Sequence, residues 1–198
     1  MNRISIVALN SFLYWEKCLD TLKPFIDGFV VRLDTQDKDS PTEDYVRSFF
    51  GKSLVKIIKG GNTKDGYTWR EELLRELDVL KPNTVFAFDN DESITYSFKK
   101  ELLDFESSDK SVIMLLPNMI TDNDRKALQY PTKAHCKIFK WQKGMSYLPY
   151  SGYAYVNPFS WNPNIAYKTD YLYNHWCFYT KEMEENKIKH ASKKYGGL

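Results

Sequence analysis

Short runs of branched and aromatic residues alternate with helically spaced apolar positions over the first 118 residues of the chain. Ile4-Ser5-Ile6-Val7-Ala8-Leu9 has the pattern of a buried strand, stopped by the polar pair Asn10-Ser11. Leu13, Cys18, Leu19, Leu22, Phe25 and Ile26 then recur at helical spacing, with Pro24 near the helix end. Residues 28–34 predict a second strand ending in a carboxylate, 42–50 a short helix stopped by Gly51, and 54–58 a third strand. A stronger helix begins near Tyr67, with Trp69, Leu73, Leu74, Leu77 and Leu80 on its apolar face and Lys81-Pro82-Asn83 closing it. Residues 84–88 form a fourth strand that runs directly into Asp89-Asn90-Asp91-Glu92. Ile94, Phe98, Leu102 and Phe105 mark another helix, and residues 112–116 another strand. Past Pro117 the pattern breaks into short aromatic segments and turns, until a polar helix resumes over residues 179–194.

Strands alternating with helices of this length predict an α/β fold with a mostly parallel central sheet and helices on both faces. The aromatic-rich C-terminal part is irregular. With 198 residues and no repeat, low-complexity segment or Gly/Ser linker, the expectation is one domain over 1–198. No apolar run approaches the ~20 residues of a membrane span. The run from Ile4 to Leu9 is too short for a signal-peptide core. Three cysteines without close spacing offer neither a disulfide framework nor a zinc site, and fit reduced thiols in a cytoplasm.

The net charge is +2, so no global field calls for nucleic acid, but the charges are unevenly placed. Between Arg125 and Thr169 there is no Asp or Glu, while Arg125, Lys126, Lys133, Lys137, Lys140, Lys143 and Lys168 are basic. The same stretch is dense in aromatics, Trp141, Tyr147, Tyr150, Tyr153, Tyr155 and Trp161 among them.

In an open parallel sheet, ligands bind beyond the carboxyl ends of the strands. Asn10-Ser11, Asp34 and Asp89-Asn90-Asp91 all fall there. Two carboxylates leaving a strand through a turn can converge on one hard divalent ion and leave sites for phosphate oxygens. Asp and Asn are also ordinary turn residues, so it is the position after a buried strand that gives the motif weight.

Four segments in register carry a resemblance: Ile4 to Asn10; Asp34 with Asp37-Lys38-Asp39-Ser40-Pro41-Thr42; Tyr67-Thr68-Trp69-Arg70-Glu71; and Phe86-Ala87-Phe88-Asp89-Asn90-Asp91-Glu92. Together they resemble the GT-A type nucleotide-sugar glycosyltransferases, and among these the large inverting family with a Rossmann-like nucleotide-binding half. The likeness runs over about residues 3–118. It departs from the family where Arg70 is followed by Glu71 rather than Asn, and where Thr35-Gln36-Asp37 replaces a Gly/Ser turn.

The resemblance implies a GT-A-like fold in which residues 1–118 bind the nucleotide sugar and 119–198 form the acceptor and closing half. Asn10 and Asp34 would line the nucleotide pocket, and Arg70 would face the diphosphate. Asp89 would lie near the ribose and metal, Asp91 would be the direct metal ligand, and Glu92 would support the turn. The expected cofactor is Mn²⁺ or Mg²⁺. His175, in a late segment of the kind that closes over the metal in resembling enzymes, is the candidate completing ligand, with His135 a second candidate. Inverting transfer needs a base near the acceptor hydroxyl, and Asp124 is the candidate; retention, with the leaving phosphate taking the proton, stays open.

The expected function is therefore transfer of a sugar from a nucleotide-diphosphate sugar to a hydroxyl acceptor by a cytoplasmic enzyme. The alternatives are a non-catalytic sugar-nucleotide-binding module, or a transferase acting on modified DNA. The basic, aromatic stretch fits a saccharide platform, a nucleic-acid surface or a self-filled core. Near-neutral total charge favours a saccharide or other small hydroxyl acceptor. Nucleotidyl transfer is disfavoured, because Ala8-Leu9-Asn10-Ser11-Phe12 has no glycine to cradle a triphosphate.

Overall fold

The computed structural model describes residues 2–9, 15–36, 38, 40–61, 66–121, 134–147 and 163–178. Three parallel strands lead: β1 (Arg3–Leu9), β2 (Gly28–Asp34) and β3 (Leu54–Gly60), followed by β4 (Thr84–Phe86). β1 lies between β2 and β4, parallel to both, and β3 flanks β2. Interleaved with them are α1 (Trp15–Asp20), α2 (Glu43–Phe50), α3 (Gly66–Leu80) and, after the short β5 (Glu92–Ser93), α4 (Phe98–Ser107). The sheet continues through β6 (Val112–Thr121), β7 (His135–Lys140), β8 (Ala166–Tyr167) and β9 (Leu172–Phe178). Its order is β3-β2-β1-β4-β7-β6-β9-β5, with β8 beside β6. Only β7 and β5 pair antiparallel to their neighbours, so the sheet is mostly parallel, as the alternation predicts.

The inner strands feed two cores because both faces of the sheet are covered. Val7, Leu9, Phe29, Val31 and Leu33 point to the side packed by α1, α2 and α4, where Leu19, Val46, Phe50, Phe98 and Phe105 are buried. Ile4, Ile6, Val30 and Val85 point to the opposite side, against Leu73, Leu74 and Leu77 of α3. The Thr42 hydroxyl caps α2 by accepting from the Tyr45 N–H, and Gly51 ends the helix at φ 51°.

Three local expectations change. The first helix ends at Asp20, and Pro24 opens a separate short turn of 3-10 helix instead of closing α1. The strand expected over 112–116 continues to Thr121 through Pro117. At Pro117 the strand lies opposite Tyr173 of β9. The region read as aromatic segments and turns contributes β7, β8 and β9, which are strands of the sheet. The polar helix expected at 179–194 and much of the aromatic stretch lie outside the described residues. Among the described residues no helix is long and apolar enough to cross a membrane, and Cys18 and Cys136 are free thiols.

Candidate functional site

Because β1, β2 and β4 are parallel, their carboxyl ends share one rim of the sheet. Asp34 ends β2, where its Oδ1 accepts the Gln36 N–H at 3.0 Å, the Asx turn that leads the chain away. Asp89 lies three residues after the end of β4, whose carboxyl end is on the same rim. Beyond Asp34, on the side away from Asp89, the end of β3 at Gly60-Gly61 is crowded: a Cβ on Gly60 would collide with the Arg32 guanidinium, and one on Gly61 with the Gln36 side chain. Arg32 is held there by Glu72 Oε2 and the Gly61 carbonyl, each at 2.6 Å. Asn10, at the end of β1, and Asp124 lie outside the described residues.

The turn after β4 closes on itself twice. The Glu92 N–H donates to the Asp89 carbonyl at 3.1 Å, and the Asp89 N–H donates to Glu92 Oε2 at 2.8 Å. Asn90 and Asp91 thus sit at the tip of a four-residue turn fixed by its first and last members. β5 begins at Glu92, and its antiparallel register with β9 sets Glu92 opposite His175. That pairing brings Asp91 Oδ2 to 3.3 Å from His175 Nε2.

Two cations meet the turn from beneath and beside it. Arg70, on the second turn of α3 and stacked over Trp69, donates to Asp89 Oδ1 at 2.7 Å. Lys137 on β7 places its ammonium 2.7 Å from Glu92 Oε2 and 3.4 Å from Asp89 Oδ2. Its side chain is 4 % exposed and that of Glu92 1 %, so this is a buried ion pair. The Tyr173 ring lies 5.4 Å from the Lys137 nitrogen.

Electrostatics divide the acids. Burial opposes a charge on Asp89, but Arg70, Lys137 and His175 outweigh it and hold the carboxyl below its usual range. Burial also opposes the charge on Lys137, and Asp89 with Glu92 overcome it, so Lys137 is held protonated. Burial raises the Glu92 carboxyl, with Lys137 offsetting part of the rise. Behind the turn, burial followed by the charges of Asp91 and Glu92 pushes the Cys18 thiol up to about 12. His135 shares a 2.7 Å hydrogen bond between its Nδ1 and the Tyr173 hydroxyl. Burial, then Lys137 and His175, bring its imidazole down to about 4.

One ligand atom each from Asp91, Glu92 and His175 lies within 4.8 Å of the others. Donors bonded at about 2.1 Å and at right angles on an octahedral ion stand roughly 3.0 Å apart. The 3.3 Å between Asp91 and His175 is close to that spacing. Carboxylate oxygen suits Mg²⁺ and Mn²⁺, while imidazole nitrogen suits later first-row ions such as Fe²⁺ and Zn²⁺. Asp91 and His175 therefore fit a divalent ion. Asp89, expected beside the metal, faces Arg70 and Lys137 instead, and Glu92 Oε2 is already engaged by Lys137 and the Asp89 N–H.

Lys137, in sequence one of the basic groups of the aromatic stretch, is in the fold a partner of the carboxylate turn. Its signal is position: in Cys136-Lys137-Ile138-Phe139 it is a lone cation inside a strand-like apolar run. Lys140, half-buried, donates to the Ser108 carbonyl at 2.5 Å. Buried in this way, the Lys137 ammonium is not part of a surface that could track a polyanion.

No family model matches the chain, and no curated protein gives a significant match. Solved structures do. The crystal structure of S. aureus TarS 1–349 in complex with UDP is 24 % identical at a TM-score of 0.50, covering 65 % of this chain and 38 % of that one. The same TarS fragment in complex with UDP-GlcNAc is 23 % identical at a TM-score of 0.49, over 65 % and 37 %. A 4-diphosphocytidyl-2C-methyl-D-erythritol synthase from Anaerococcus prevotii is 16 % identical at a TM-score of 0.47, covering 70 % of each chain. The chain thus spans about two fifths of the TarS 1–349 structures it matches. At these identities the likeness is one of architecture. With the strand order described above, it gives the chain a GT-A-like α/β fold.

Proposed function

We propose that this chain is a glycosyltransferase that moves a sugar from a nucleoside diphosphate sugar to a hydroxyl acceptor, with Mn²⁺ or Mg²⁺ held by Asp91 and His175. The observation that carries this reading is the 3.3 Å approach of those two side chains at the strand-end rim, next to Arg70. The two TarS complexes, one with UDP and one with UDP-GlcNAc, support a nucleotide-sugar donor. A bound ion would neutralise charge building on the departing diphosphate. In this reading Asp34 and Asn10 hold the nucleoside end of the donor at the ends of β2 and β1. Arg70 supplies a fixed positive charge for the diphosphate while its other contact, Asp89, keeps it aimed at the rim. Asp124 takes the proton of the acceptor hydroxyl. The acceptor is a saccharide or another small hydroxyl compound, and the reaction belongs to a reducing cytoplasm. Release of nucleoside diphosphate from a panel of nucleotide sugars, with Mn²⁺, with Mg²⁺ and with EDTA, tests it. Metal-dependent release that rises with acceptor is expected. Donor binding without release would make the chain a binding module, and neither binding nor release would refute the reading.

A further inference from the structure

We propose that Lys137 is a positioning residue: the internal counter-cation of the carboxylate turn, which engages Glu92 and Asp89 and leaves Asp91 to meet the divalent ion with His175. This rests on the donor and metal reading above and adds to it a residue from a strand distant in sequence. β7 lies between β4 and β6, and the Ala87 N–H donates to the Lys137 carbonyl at 2.8 Å, which fixes Lys137 directly beside the start of the turn. Its ammonium bridges the first and last acids of that turn from a buried position.

The charge count gives the role a signature. Asp89, Asp91 and Glu92 carry three negative charges against the two positive charges of Arg70 and Lys137. With His175 neutral the site is left with one net negative charge, modest enough to receive a divalent cation and then an anionic diphosphate. Without Lys137 the site is more attractive to a cation and less attractive to an anion. A lysine that merely packed the turn would, when removed, weaken both ligands together. The opposite signs separate the two cases.

The test measures Mn²⁺ alone, by the free-ion electron paramagnetic resonance signal, and uridine diphosphate alone in EDTA, by calorimetry. The proteins are the unaltered chain, Lys137→Gln, Lys137→Arg and Glu92→Gln, each checked for fold by circular dichroism. Lys137→Gln should bind Mn²⁺ about five- to tenfold tighter and uridine diphosphate weaker by a similar factor, the effect of one unit charge near a divalent ion when water screens most of its field. Lys137→Arg should restore both affinities to near those of the unaltered chain. Glu92→Gln keeps an oxygen for the Asp89 N–H and should show the reverse, with weaker Mn²⁺ and tighter uridine diphosphate. If Lys137→Gln does not fold, Glu92→Gln decides alone. Affinities that fall together, or do not move, overturn the role of Lys137 while leaving the functional reading in place. Failure of the unaltered chain to bind either probe overturns both.

Discussion

His135 should make the protein lose stability as the solution is acidified, over a defined window. Its folded-state imidazole titrates near about 4 against an ordinary value of 6.5, because burial and the neighbouring Lys137 and His175 oppose its charge, with Arg70 adding to them and Asp89 acting the other way. The Tyr173 hydroxyl, bound to Nδ1, occupies the ring without supplying a counter-charge. Above pH 6.5 the imidazole is neutral in both states and costs nothing. Between 6.5 and 4 the unfolded chain binds the proton and the folded chain does not, so stability rises with pH across that interval and is lost on descending it. Below about 4 both states are protonated and the loss is complete. The difference between the two values corresponds to about 3 kcal/mol, an upper figure because solvent reaches part of the ring. Urea unfolding at a series of pH values measures it. Carboxylates titrate nearby, so the quantity to follow is the difference between the unaltered protein and His135→Gln, whose amide can still meet the Tyr173 hydroxyl. The unaltered protein should lose up to about 3 kcal/mol more than the variant between pH 7 and 4. Parallel profiles would refute the claim that His135 is held neutral.

Asp91→Asn should remove Mn²⁺-dependent binding of uridine diphosphate while leaving the urea midpoint unchanged, since Asn suits a turn but is a poor ligand for a hard ion; unchanged calorimetric affinity would exclude the metal role. At the opposite end of β1, Arg3 makes a two-pronged pair with Glu106, at 2.8 and 2.6 Å, and the Thr84 hydroxyl donates to the same carboxylate at 3.0 Å. Arg3→Met strands a Glu106 side chain that is 4 % exposed, so unfolding free energy should fall by about 3–5 kcal/mol, and a loss under 1 kcal/mol would contradict it. The Ser5 hydroxyl, fully buried on β1, has no hydrogen-bond partner among the described residues. Ser5→Ala should be neutral or stabilising by up to about 1 kcal/mol in the same assay, and a clear loss would reveal a partner for that oxygen.

What the sequence makes legible is local. Strands β1 to β4 and helices α2 to α4 stand out because each buries a continuous apolar run or a helical stripe decided within ten or so residues. Asp34 and Asp89 can be set on one rim because parallel strands bring their carboxyl ends together. The proximity of Asp91 and His175 is less legible, since it depends on the β5–β9 register across more than eighty residues; the histidine could be named as a candidate only through the resemblance. The role of Lys137 is not legible at all from charge patterning, where a lysine among aromatics reads as a rim cation. Burial reverses that meaning: the same ammonium in an apolar strand must find carboxylates, and among the described residues those it meets belong to the turn. Pro117 misleads in the other direction, since β6 runs on through it beside β9.

The place of β7 has a consequence for how the chain is made. β4 and β6 run parallel and are joined through α4, the arrangement that ordinarily sets two strands side by side in a right-handed crossover. Yet the slot between them belongs to residues synthesised later, the six from His135 to Lys140. At five to twenty residues per second, the exposed edge of β4 waits roughly three to ten seconds for its proper neighbour, with β6 already emerging in the meantime. A chain that zipped β6 directly onto β4 would gain a complete-looking sheet early and shut the later strand out. Such a trapped species would contain a finished N-terminal half and a carboxylate turn whose cation never arrived.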